Sequence, residues 1–169
     1  MQLGNIHLGK AETALPPTLS LMEAALLWDL LVGRYQCVRE TRIYYHYAHD
    51  TDWKKLLEFG IGFLEEQARI LEQQAKMYKL SLPDRPPLEV ALPDNTTVFN
   101  DRYAFSQVFE GCQAWVDLLA RASRSMVTND PLRHIMVDFL NGDLSLFDKM
   151  VKFAKVKGWL EPSPVFNVN

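Results

Sequence analysis

Apolar residues recur at steps of three and four along most of the chain, and prolines mark where that rhythm stops. The nine prolines stand at positions 16, 17, 83, 86, 87, 93, 131, 162 and 164, which leaves three proline-free stretches of helical length. The first stretch breaks at His49-Asp50-Thr51-Asp52, a cluster suited to capping a new helix. Ser20-Leu21-Met22-Glu23 reads as a capping box at the first start. Asp130-Pro131 reads as an N-cap followed by proline at the first helical position, and Lys157-Gly158 as a basic last turn with a glycine stop. The pattern therefore predicts four helices, over about 21–48, 52–80, 100–126 and 131–157. It shows no strand-period alternation, internal repeat or low-complexity tract, so the fold class is all-α.

Loop lengths then choose the topology. Short connections make the first and second helices, and the third and fourth, antiparallel hairpins. The segment 81–99 holds four prolines and can stretch over roughly 60 Å, whereas a helix of 28 residues is about 42 Å long. A simple up-down-up-down chain would carry it only as a long decorative loop, whereas a bundle with parallel second and third helices needs it, which is the favoured reading. The expectation is a ferritin-like four-helix bundle over 18–160 with the crossover at 81–99. An N-terminal arm spans 1–17 and a C-terminal tail 161–169.

A di-iron bundle would place inward carboxylates on all four helices, two of them in Glu-x-x-His pairs. The chain has no Glu-x-x-His. On the second helix Phe59, Phe63, Leu64, Ile70, Leu71 and Tyr78 define the inner arc; Glu58, Glu65, Glu66 and Glu72 fall outside it, and the inward polar residues are Gln67 and Gln74. On the third, the arc through Phe105, Val108, Phe109, Cys112, Trp115, Val116 and Leu119 leaves Glu110 and Asp117 outside. No metal or other cofactor is expected. Glu23 lies within the apolar arc of the first helix, where a ligand would sit, but the capping box is the better reading. Arg34 and Thr41 share that inner line, and Asp143 on the fourth helix is the candidate partner for Arg34. Glu23, Arg34, Gln67 and Asp143 are thus the residues that could line an internal polar pocket. Glycines 33, 60, 111 and 142 face inward and either allow close helix approach or line a small cavity. His46 and His49 with Asp50 and Asp52 could form a surface zinc corner, though solvated helix-end residues are the favoured reading.

The first helix carries a second apolar stripe beside its inner arc. Leu21, Ala25, Trp28, Val32 and Tyr35 recur at alternating four and three, the spacing of a helix–helix seam. The cover could come from the crossover (Leu88, Val90, Leu92, Val98, Phe99), from the tail (Trp159, Leu160, Val165, Phe166) or from another subunit. Leu21, Trp28, Val32 and Tyr35 are the interface candidates if a homodimer forms.

Composition changes this picture mainly by exclusion. With 169 residues, 48% hydrophobic and net charge −3, the chain is expected to be one soluble domain without a nucleic-acid footprint. The longest apolar run, Ala24 to Trp28, is too short for a membrane span, and residues 1–17 lack a signal-peptide core. Two cysteines in apolar helical settings, Cys37 and Cys112, read as buried thiols of a reducing cytoplasm. No nucleophile elbow, phosphate loop or dinucleotide fingerprint is present, so no enzyme is expected. The lysines of the fourth helix lie on or beside a polar stripe (His134, Asp138, Asn141, Ser145, Asp148, Lys152, Lys155) that reads as a solvated face.

Ser20-x-x-Glu23 with Leu27-Trp28, the Leu80-Ser81-Leu82-Pro83 exit, and Lys157-Gly158-Trp159 with Pro162 together resemble the domain of unknown function 3231 family. That resemblance covers roughly Leu19 to Pro164. It implies a ferritin-like bundle similar to spore-coat F-type proteins and a sporulation-related setting, cytoplasmic or spore-associated. Some members look like two bundles in tandem, which would make a single bundle a natural homodimer. It carries over no catalytic residue. Two functions are expected to compete: a non-catalytic structural or interaction bundle, and a small-ligand or metal-binding bundle with an internal polar pocket.

Overall fold

The computed structural model describes residues 2–3, 6–7, 9, 18–87, 100–161 and 164. Four helices make up nearly all of this: α1 (Leu21–Tyr47), α2 (Thr51–Met77), α3 (Asp101–Ser125) and α4 (Asp130–Lys157). Each start is fixed by a side chain that accepts an otherwise orphaned backbone N–H: Ser20, Asp50, Asn100 and Asn129. Asn129, rather than Asp130, is therefore the cap of α4, and Pro131 stands one position deeper than the sequence suggests. Two two-residue strands, β1 (Gln2–Leu3) and β2 (Ile6–His7), pair antiparallel in the segment expected to be a plain arm. A pairing this short lies below the length at which alternation can be recognised.

Helix ends diverge most from expectation at α2, which stops at Met77 instead of near residue 80. Lys79 adopts a left-handed conformation (φ 57°), and Leu80 N–H donates to the Ala75 carbonyl at 2.9 Å. A lysine in the position that usually holds glycine carries no sequence signal. At the end of α4 that signal is present: Gly158 takes the left-handed position (φ 66°), and Trp159 N–H reaches back to Ala154.

Hydrogen bonds at the two ends of the bundle establish its connectivity. At one end Asp101, the first residue of α3, accepts from the backbone N–H groups of His49 and Asp50 in the α1–α2 turn. Lys157, the last residue of α4, donates there to Asp50 and Asp52. At the opposite end the α3–α4 turn meets the start of α1 through Thr128 and Glu23, and the end of α2 through Asn129 and Tyr78. Helices α2 and α3 consequently run in the same direction, and the connection between them must travel the length of the bundle. This is the one-crossover topology expected from the 81–99 segment, of which residues 88–99 lie outside the described residues.

The interior is divided into two apolar halves. Leu27, Leu31, Leu71, Leu119, Met126 and Met136 belong to the half near the start of α1. Trp53, Leu57, Phe105, Met150 and Ala154 form the other, closed by Phe153, Trp159 and Leu160. Trp53 is completely buried among Phe105, Phe153 and Trp159, with ring centroids 5.6–6.4 Å away. Trp159 and Leu160 thus seal the end of the bundle and do not lie over the start of α1. Phe59, expected on the inner arc of α2, is half exposed with the Lys149 ammonium 4.2 Å from its ring centroid. Trp53 and Leu57 occupy the inner line in its place.

Candidate functional site

Between the two apolar halves lies a buried polar layer. The Arg34 side chain is 1% exposed, and a single terminal nitrogen donates to both carboxylate oxygens of Asp143 at 2.8 Å. Gln67 Nε2 donates to Asp143 Oδ2 at 2.9 Å. Arg34, Gln67 and Asp143 therefore meet, one from each of α1, α2 and α4. The guanidinium also lies over the ring of Trp115 of α3, its central carbon 3.7 Å from the ring centroid. The indole N–H of Trp115 in turn donates to Cys37 Sγ at 2.9 Å.

Glycine permits this stacking. A β-carbon on Gly33 would come within 2.9 Å of the Trp115 ring, so only glycine lets the indole approach α1 so closely. The demand is milder at Gly142, where a β-carbon would lie 3.2 Å from the edge of the Phe63 ring and the ring would have to give by a few tenths of an ångström. Gly60 and Gly111 differ: a β-carbon at either would meet no atom within 4 Å.

Those two glycines border a cavity of about 80 Å³ that runs from the Arg34–Asp143 pair into the second apolar half. Its walls include Leu57, Leu64, Val108, Leu146 and Met150, and its rim includes Glu40 and Gln107 between α1 and α3. Both cysteines face it. Burial pushes the Cys112 thiol up to about 12, and burial also raises that of Cys37 against the opposing pull of the Arg34 charge. Neither thiol is an available nucleophile at neutral pH.

Glu23 is not part of this site. It is fully buried at the start of α1, where it closes the capping box with Ser20 and accepts from both the backbone and the hydroxyl of Thr128. Gln67 touches Asp143 but does not line the cavity. The possible zinc corner is also arranged otherwise, because Asp50 and Asp52 both accept from Lys157 while His46 packs edge-on against Tyr47. Among the described residues no three His, Cys, Asp or Glu side chains converge as a metal site would require.

The second stripe of α1 divides. Leu21 (89% exposed), Ala25, Trp28 (44%) and Val32 are open, whereas Tyr35 is buried within the chain. Its hydroxyl donates to Glu72 at 2.7 Å, and Arg85, from the start of the crossover, lies over its ring and pairs with the same Glu72. Tyr35 is accordingly no interface residue, and Glu72 is less solvated than its place outside the arc implied. Met22, Met77, Leu82 and Val127 are also exposed at this end of the bundle. The crossover and tail residues Leu88, Val90, Leu92, Val98, Phe99, Val165 and Phe166 lie outside the described residues. Among those described, no helix is long and apolar enough to cross a membrane.

Comparison with known proteins follows this geometry. The fold is similar to the crystal structure of a candidate spore coat protein from Bacillus halodurans C-125, with a TM-score of 0.84 and 21% sequence identity. The match covers 90% of this chain and 100% of that one. No curated protein matches. The profile of the protein family of unknown function DUF3231 matches residues 13–169. The match spans nearly the whole chain, and the chain therefore belongs to the DUF3231 family.

Proposed function

We propose that this chain is a non-catalytic, ferritin-like bundle that works as a structural or interaction protein and pairs with a second copy of itself through the start of α1. The observation that carries this reading is the exposed run Leu21, Ala25, Trp28 and Val32, spaced four, three and four along one helix. Such spacing lets two helices interlock side by side. A two-fold axis would set the stripe against itself. The exposed Met22, Met77, Leu82 and Val127 at the same end extend the apolar surface that a second copy would cover.

A non-catalytic role is supported by how the buried chemical groups are used. Arg34 and Asp143 neutralise each other, Glu23 caps a helix, and both thiols are held in their neutral form. A metal role finds little support in the inward donors, which are a cation, an amide and a carboxylate already bonded together. The fold shared with a candidate spore coat protein supports a sporulation-related setting, cytoplasmic or spore-associated. No nucleic-acid or membrane partner is part of this reading.

Sedimentation velocity tests it. The wild-type chain should run near twice its 19.5 kDa mass at micromolar concentration, and Trp28→Glu should run as a folded monomer with unchanged helicity. A wild-type monomer, or a dimer indifferent to Trp28→Glu, would refute the assignment.

A further inference from the structure

Two contacts fix the register of α1 against the antiparallel α2: Tyr35 donates to Glu72, and Arg42 pairs with Glu65 at 2.5 Å. In that register Arg39, between Tyr35 and Arg42 on α1, stands opposite Ala68, between Glu65 and Glu72 on α2. A ladder of polar pairs therefore has one rung with a guanidinium on one side and only a methyl group on the other. The cations around that rung are matched: Arg42 by Glu65, Arg69 by Glu66 and Arg85 by Glu72. Arg39 is half-buried and has no hydrogen bond or ion pair among the described residues. Its Nε is closed to solvent, so only its outer nitrogens are left to meet a partner.

Where Ala68 leaves room, a groove of about 280 Å³ opens between the two helices and the start of the crossover. By comparison with a ~150 Å³ cavity that admits benzene, it takes roughly eleven heavy atoms. Its walls combine Arg39 with the Tyr35 ring, Val38, Ala68 and the two prolines Pro86 and Pro87, a surface suited to a flat hydrocarbon body. A guanidinium fork matches a carboxylate and also packs against aromatic faces. With the neighbouring cations already matched and Glu65 on the rim, one negative charge is balanced there and a second is not. We propose that this groove binds a singly charged carboxylate on a flat apolar body, of the arylalkanoate class, with Arg39 as its anchor. None of Leu21, Ala25, Trp28 and Val32 lines it, so it stands or falls independently of how copies pair.

Isothermal calorimetry of the full chain with phenylacetate and with phenylacetamide tests the groove, since the two share size and shape and differ in charge at neutral pH. Saturable binding of one phenylacetate per chain is expected, with the amide at least tenfold weaker. Acetate, which has the charge without the body, should also bind at least tenfold more weakly. Arg39→Met keeps much of the stem along the groove wall and should lower phenylacetate affinity at least tenfold with no loss of melting temperature. Arg39→Lys keeps the charge without the fork and should fall between wild type and Arg39→Met, which guards against a methionine variant that binds weakly for another reason. Arg121→Met, exposed on α3, should bind as wild type does. Binding that never saturates, that is equal for the amide or acetate, or that is as strong in Arg39→Met would overturn the proposal. So would equal weakening by Arg121→Met.

Discussion

Removing the guanidinium of Arg34 would leave the Asp143 carboxylate buried with only Gln67 for company. Breaking a buried pair from one side costs about 3–5 kcal/mol, whereas replacing both members with apolar residues is often close to neutral. Arg34→Met should therefore lower the unfolding free energy by about that amount, and Arg34→Met/Asp143→Leu should recover most of it. Urea denaturation of the two single variants and the double variant measures the coupling. A single-variant loss below about 1 kcal/mol would show that the pair is not buried as described. The sequence named Asp143 only as a candidate partner, since Arg34 and Asp143 each fall on an apolar arc of helical period; that the two meet is read from the structure. The Trp115 stack and its bond to Cys37 were not legible in the sequence, because they depend on how closely two helices approach at Gly33. Tyr35 was misplaced for a related reason: periodicity groups it with Trp28, but Arg85 arrives from a connection whose path no periodicity describes.

At the scale of the element, helix ends hold more than local structure. Glu23 both caps α1 and anchors the α3–α4 turn through Thr128. Burial alone would raise its pKa, but the hydrogen bonds from Thr128 and Ser20 outweigh that effect and hold it below the ordinary 4.5. A folded-state value below the unfolded one gives stability that is complete above pH 4.5 and fades as pH falls through the folded value. Glu23→Gln should cost about 1–2 kcal/mol at pH 7, and its difference from wild type should shrink as the pH drops below 4.5. Thermal melts of both proteins across pH 3–7 (about that range) would show this, and parallel curves would contradict it. The end of α2 makes the opposite prediction. Lys79→Gly relieves a left-handed backbone and should raise stability by about 0.5–1 kcal/mol, read from a urea midpoint. No change would mean that the lysine is already at ease there.

The whole molecule was the most legible level in one respect. A proline-rich connection longer than its helices implied parallel α2 and α3, and the contacts of Asp101, Lys157, Thr128 and Asn129 at opposite ends agree with that order. What sequence left open was the outer surface of α1, where Trp159 and Leu160 turn out to seal the far end of the bundle. The open part of the stripe spans Leu21 to Val32, with Ala25 near its middle. Across a two-fold axis, a residue near the middle of such a patch meets its own copy. Oxidative cross-linking of Ala25→Cys therefore tests the pairing most directly, since Cys37 and Cys112 are held neutral and do not compete. Ala25→Cys should yield a disulfide-linked species of twice 19.5 kDa, while Glu58→Cys on the exposed face of α2 should remain a single chain. A failure of Ala25→Cys to cross-link, or equal cross-linking of both variants, would contradict the pairing of two copies through α1.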